Sequence, residues 1–242
     1  MCNNLSMAPK EDKEPGDTRR AGTIRARIRA EMTDEIKATA RRHLETEGAN
    51  LSLRAVARDV GMVSSAVYRY FASRDDLLTA LIVDAYNAVG EAVEQADAGH
   101  VARDDLRGRF LDACRAVRTW GLAHPAEYAL LYGSPVPGYA APGDTVGPAA
   151  RTPMVLVRIV SSAPRATAPA DLAPALAADL ARLREMIEVD LDDTTLMRAM
   201  TAWIYLFGLV SFELFGQLNN MIDARDTFFD AQMGAIADQI GL

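Results

Sequence analysis

SLRAVARDVGMVSSAVYRYFASRDDLL, residues 52 to 78, is the stretch on which the reading of the fold turns. Ser52 stands directly before LRAVARDV, where its hydroxyl can cap a short helix with Leu53, Val56, Ala57 and Val60 facing inward. Gly61 ends that helix. A second short helix is expected from Ser64 to Phe71, with Ser64 as N-cap and Ala66, Val67 and Phe71 available for packing. Two short helices joined by a three-residue turn containing glycine make a helix-turn-helix pattern, since glycine adopts the backbone angle that other residues resist.

Upstream, Ile24, Ile28, Met32, Ile36, Ala40 and Leu44 recur every four residues from Thr23 until Gly48, which predicts one helix of about seven turns. Arg19, Arg20, Arg25, Arg27 and Arg29 crowd its front half. Residues 1 to 17 are polar and without periodicity, so a disordered extension over residues 1–20 is expected. Downstream, amphipathic helices are expected over Arg74 to Gln95 and Asp104 to Ala123, and Pro125 suits the first turn of PAEYALLYG. The prolines and glycines of residues 133–148 mark a loop. Helical patterning returns over Ala149 to Ser161, Leu172 to Glu188, Thr194 to Asn219 and Asp226 to Ile240. No stretch alternates with period two for long enough to require a sheet. The expectation is all-α: a three-helix helix-turn-helix domain over 21–75 and a helical regulatory and dimerisation domain over 76–242.

The 242 residues carry 26 Lys+Arg and 33 Asp+Glu, a net charge of −7. That sum hides a division. Residues 1–74 hold 14 basic and 10 acidic side chains, a surplus of +4, so the remainder stands at −11. A basic end joined to an acidic body suits a chain that meets nucleic acid at one end only. Cys2 and Cys114 are the two cysteines and no CxxC or Cys/His cluster exists, which counts against a disulfide framework and a zinc module. No metal or cofactor is expected, and the cytoplasm is the expected compartment. The apolar, uncharged run Ala199 to Phe212 has 14 residues, short of the roughly 18 of a membrane span. GxSxG, GxGxxG, P-loop and HExxH motifs are absent, and His43, His100 and His124 are not spaced as metal ligands. Asp75-Asp76, Asp104-Asp105 and Asp192-Asp193 sit at helix starts, where the dipole favours negative charge, so no enzyme is expected.

Read together, residues 52 to 78 resemble the DNA-binding segment of TetR-family transcriptional repressors. That pattern has a Thr/Ser-start helix, a glycine turn, a recognition helix ending in Tyr-x-His/Tyr-Phe, and a Ser-Lys/Arg-acidic-x-Leu-Leu helix start. The chain supplies Ser52, Val56-Ala57, Gly61, Val67-Tyr68, Tyr70-Phe71, Ser73-Arg74 and Leu77-Leu78 in order, and the match covers residues 36 to 78. WIYLFGLVSFELFG also looks like the penultimate helix of one branch of the family. The resemblance implies double-stranded operator DNA as partner. It places Ser52 on phosphate, Arg54 on base or phosphate, the Tyr68 and Tyr70 hydroxyls on phosphates, and Arg74 where the family usually has a phosphate-binding lysine. Ser64 and Ser65 stand at the start of the recognition helix, the end that meets base edges in the major groove. Arg69 projects between the tyrosines. Tyr68 and Tyr70 lie about 200° apart around a helix, so both cannot share one face.

A helix-turn-helix reader usually binds as a dimer, because half-sites roughly 34 Å apart add their affinities. The helix from Thr194 carries Leu196, Met200, Trp203, Phe207, Val210 and Leu214 at alternating spacings of four and three, the seam of packed helices. Leu196, Val210 and Leu214, with Phe228, Met233 and Ile236 of the last helix, are the expected homodimer contacts; the competing reading is one subunit's own core. For a small apolar ligand, the pocket candidates are Phe110, Cys114, Trp120, Tyr128, Tyr132, Met154, Met200, Trp203 and Phe207, residue types that also fill ordinary cores. The expected function is a ligand-responsive, homodimeric repressor of a palindromic operator. The rival is an all-helical interaction module whose basic end docks an acidic protein partner.

Overall fold

A computed structural model describes residues 15–164 and 172–242. Among the described residues there are ten α-helices and no strand, as the periodicities predict. In chain order they are α1 (Pro15–Glu47), α2 (Leu53–Asp59), α3 (Ser64–Val67), α4 (Arg74–Gly99), α5 (Leu106–Ala123), α6 (Pro125–Tyr132), α7 (Val146–Ser161), α8 (Pro174–Ile187), α9 (Asp193–Leu214) and α10 (Arg225–Ile240).

Side-chain caps mark the starts of α2, α4, α5 and α9. The Ser52 hydroxyl accepts from the Ala55 N–H at the head of α2. At α4 the Ser73 hydroxyl accepts from Asp76 N–H while the Asp76 carboxylate accepts from Ser73 N–H, so two orphan donors are satisfied reciprocally. Asp105 and Asp192 do the same work singly for α5 and α9. Gly61, with φ of +78°, makes the turn after α2, and Gly48, at +59°, closes α1.

Several boundaries differ from expectation, among them α4, which runs four residues past Gln95 to Gly99. Helix α1 begins at Pro15, so residues 15–20 of the expected disordered extension are helical, while residues 1–14 lie outside the described residues. Periodicity marks where apolar residues begin, and a solvated helix can extend beyond them. Helix α3 is a single turn whose N-cap is Val63 rather than Ser64. After Val67 the chain tightens, with Arg69 N–H bonded to Ala66 and Tyr70 N–H to Val67, the i→i+3 spacing of a 3-10 turn. The 133–148 segment ends early, in a 3-10 turn at Gly143–Thr145 that runs into α7. Helix α9 stops at Leu214, five residues before Asn219, where Gly216 takes a φ of +81°.

Two cores organise the helices. One collects Ile36, Ala40 and Leu44 of α1, Leu53, Val56 and Ala57 of α2, Val67, Phe71, and Leu77, Leu78 and Leu81 of α4. The other takes Ala85, Val89 and Val93 from the same α4 and packs them with α5, α6, α7, α9 and α10. Each fully buried Leu or Phe contributes about 1.5–3 kcal/mol, so α4 is fixed twice, once at each end. Ala126, Leu130, Val136 and Tyr139, from α6 and the loop after it, lean on the first core. Helix α9 is long and apolar enough to cross a membrane by composition alone, although its uncharged run is short. Its buried side includes Ala199, Ala202, Leu206, Phe207 and Val210 of the second core, which accounts for that composition.

Candidate nucleic-acid interface

The exposed end of the molecule is built from α2, α3 and the turn after it. Ser52 and Arg54 stand exposed at the head of α2, and Ser64 and Ser65 stand exposed on α3, with Ala66 and Val67 buried behind them. Tyr68 is 46% exposed, whereas Tyr70 is half-buried against the first core. The 200° separation of the two tyrosines is thus resolved: one faces solvent and the other packs. Arg69 is exposed between them.

Two arginines brace the backbone here, one on the recognition turn and one on the connection leading into α2. Arg29 of α1 donates to the Arg69 carbonyl at 2.7 Å, and its guanidinium lies 5.2 Å from the Tyr70 ring centre. Arg29 had been legible only as one of an arginine-rich face, because a contact across 40 residues leaves no local pattern. Arg74 donates to the carbonyls of Ala49 at 2.6 Å and Leu51 at 3.1 Å. It therefore ties the start of α4 to the α1–α2 connection and satisfies two carbonyls there. Arg54 and Arg69 form no ion pair among the described residues, so their charge stays available to an external anion. By contrast Arg58 pairs with Asp59, whose carboxylate also accepts from His43 Nε2 at 2.8 Å. The hydrogen bond from His43, reinforced by Arg58, holds the Asp59 carboxyl below the ordinary range.

Comparison with known proteins agrees with this geometry. Residues 36–81 match the model of bacterial regulatory proteins of the tetR family, and residues 110–236 match the tetracyclin repressor-like C-terminal domain. An HTH-type transcriptional regulator of Mycobacterium tuberculosis is 41% identical over 227 residues, spanning 87% of this chain and 94% of its own. The chain belongs to the TetR family. This TetR-family chain also superposes on the solved structure of SCO4313, a protein described as regulatory. The TM-score is 0.74 and the identity 34%, covering 88% of this chain and 98% of that one. A Rhodococcus protein of unknown function is 25% identical with a TM-score of 0.61, covering 86% and 92%. The chain is a transcriptional regulator with a helix-turn-helix DNA-binding domain, not an enzyme.

In the regulatory part of this TetR-family chain the candidate residues separate into groups. Phe110, Cys114 and Tyr128 are fully buried and Trp120 and Phe207 nearly so, all within the second core. All five pack within that core. Burial pushes the Cys114 thiol well above its ordinary range. Tyr128 donates to the Phe207 carbonyl at 2.9 Å and lies 3.1 Å from the Ser211 hydroxyl, and burial raises its pKa to about 12. Tyr132 is half-buried, packed 4.3 Å from the Phe207 ring and 4.9 Å from Tyr128. Met154, Met200 and Trp203 do line a cavity of about 190 Å³ between α7, α8 and α9. A more open cleft of about 600 Å³ lies under the 133–145 loop, with Tyr86, Ser134, Tyr139 and Thr145 on its walls. His124 stacks on Trp120 at 5.3 Å and donates to the Trp120 carbonyl, a structural helix-end role.

The expected dimer contacts sit on the inward side of the last two helices. Leu196, Val210, Met233 and Ile236 are buried within the single chain, and Leu214 and Phe228 are half-buried, so the four-three spacing marks the inward face of α9 and α10. The outward face of α9 is apolar as well. Ile204 is 61% exposed, Phe212 54% and Phe215 43%, with exposed Gly208 between them. Those positions fall at i, i+4, i+8 and i+11, a stripe on one side of the helix. The signal was present in the sequence, masked by the equally apolar inward stripe.

Proposed function

We infer that this TetR-family regulator is a homodimeric repressor that reads a roughly palindromic operator and releases it when a small apolar molecule binds its C-terminal part. The observation that carries the DNA reading is the exposed set Ser64, Ser65, Tyr68 and Arg69, backed by buried Ala66 and Val67 and clamped from behind by Arg29. Serine hydroxyls at the head of the helix reach base edges, while Arg54, Tyr68 and Arg69 provide donors for phosphates on either side. Family membership favours this over docking to an acidic protein.

The partner for a second half-site is a second copy. The Ile204, Gly208, Phe212 and Phe215 stripe, with the exposed alanines Ala231 and Ala235 of α10 beside it, supports an isologous packing of α9 and α10 on their symmetry mates. An exposed apolar stripe of this kind is costly in a monomer and marks an interaction surface. The test is binding to the DNA upstream of its own operon at fixed salt. Tyr68→Phe and Arg54→Ala each weaken it about tenfold, the loss of roughly 1.4 kcal/mol in a charged hydrogen bond. Unchanged affinity in both variants rejects the DNA interface.

A further inference from the structure

Resting on the ligand-responsive reading, we propose that the cavity between α7, α8 and α9 binds a neutral, wholly apolar molecule of single-ring or short-chain size, and that Trp203 is its reporter. Its volume is about 190 Å³. An apolar cavity of ~150 Å³ admits benzene, so a guest of about six to ten carbon atoms fits. The ten residues on its wall include no charged side chain, and the Trp203 indole N–H is the single side-chain donor or acceptor among them. A carboxylate, phosphate or ammonium group entering there would lose water and find no partner. Nearby Arg184 is already committed, donating to the Leu191 carbonyl at 2.8 Å and lying 3.1 Å from Asp193.

The wall is built to adjust. Met154 and Met200 are flexible and polarizable, and suit guests of irregular outline. Helix α8 buries only Leu180 fully, so it is the least anchored wall and can shift to admit a guest. Trp203 is 39% exposed, leaving indole surface for a guest to cover. The site also has a route to the reading head. Trp203 contacts Phe207 at 6.4 Å, Phe207 contacts Tyr132 at 4.3 Å, and Tyr132 contacts Tyr86 of α4 at 6.1 Å. Helix α4 in turn supplies Leu77, Leu78 and Leu81 to the core behind the DNA-facing residues.

The chain has two tryptophans, so Trp120→Phe leaves Trp203 as the single indole. In that full-length variant, toluene gives a saturable change in Trp203 fluorescence, and benzoate or benzylammonium binds at least tenfold more weakly. Leu183→Trp or Ala199→Leu, whichever keeps the parent melting temperature, fills the cavity and abolishes the rise in melting temperature that toluene gives the parent. Absence of a saturable toluene response, equal binding of benzoate, or a toluene effect that survives the filled cavity overturns the assignment. Operator-region DNA binding is measured in parallel on the same protein. DNA binding retained without any toluene response rejects the cavity alone. Toluene bound with DNA affinity unchanged leaves the cavity standing and rejects the ligand-responsive reading.

Discussion

Arg54 and Arg74 have the same charge and different surroundings, and the difference sets what each substitution does. Arg54 is exposed and forms no ion pair among the described residues, so Arg54→Ala lowers DNA affinity while the melting temperature stays put. Arg74 satisfies two backbone carbonyls, and Arg74→Ala also removes about 1–2 kcal/mol of stability. Chemical denaturation of the two variants side by side checks this, and equal stability would show that the Arg74 bonds are replaced by water at no cost. The order and spacing of these residues were legible in the sequence because the turn-and-cap chemistry of Ser52, Gly61 and Ser73 is local. What was not legible is which arginine is spent inside the protein. Arg74 reaches back 23 and 25 residues for its acceptors, and no window around position 74 contains them.

At the scale of elements, the joints between helices rest on a few polar clusters. Asp97 at the end of α4 and Arg109 in α5 are both buried, joined by Arg109 Nε at 2.8 Å and Nη2 at 3.3 Å. Burial pushes the Asp97 carboxyl up, and the bonds from Arg109 and Arg103 outweigh it, holding the group ionised below its ordinary range. Arg109→Met leaves Arg103 as the remaining cation on that carboxylate and costs about 3 kcal/mol, read as a lower denaturant midpoint. At the same corner His100 donates from Nδ1 to Asp112 at 2.8 Å, with Asp105 3.3 Å from Nε2. The bond to Asp112, then the charges of both aspartates, raise the His100 pKa above its ordinary 6.5 against a smaller opposing effect of burial. The protonated form is the one stabilised. Its contribution is therefore complete below about pH 6.5 and fades as pH climbs through the raised native value. Plotting melting temperature against pH for His100→Asn checks the sign: the variant lacks that part of the fall seen in the parent above pH ~6.5. Helix count and type were readable from apolar spacing, whereas these joints were not. Each joint bond spans 12 residues in sequence but forms across a bend that periodicity does not describe.

For the whole molecule, both faces of α9 are apolar, and spacing alone does not say which of them meets a partner. Leu196 and Val210 look like a dimer seam by their spacing, yet both are buried within the single chain, and Ile204, Phe212 and Phe215 are left outside. Phe212→Glu is expected to yield a folded monomer by sedimentation or light scattering, with DNA affinity reduced more than a hundredfold because two half-sites no longer add. A Leu196→Glu control unfolds the chain instead, and a dimeric, folded Phe212→Glu variant moves the interface elsewhere. Charge division gives a second expectation at this scale. Affinity for operator-region DNA falls steeply with salt, and Arg69→Ala reduces the slope of log K against log salt by about 1.

Helix α4 is shared by two cores, with Leu77, Leu78 and Leu81 on one side of its middle and Ala85, Val89 and Val93 on the other. For anyone building chimeric regulators, the reading head is not a cassette that ends at residue 75. A graft cut there would leave Leu77, Leu78 and Leu81 from the host lying against a foreign α1 and α2. The workable splice lies inside α4, between Leu81 and Ala85, where the helix changes allegiance while its backbone remains unbroken.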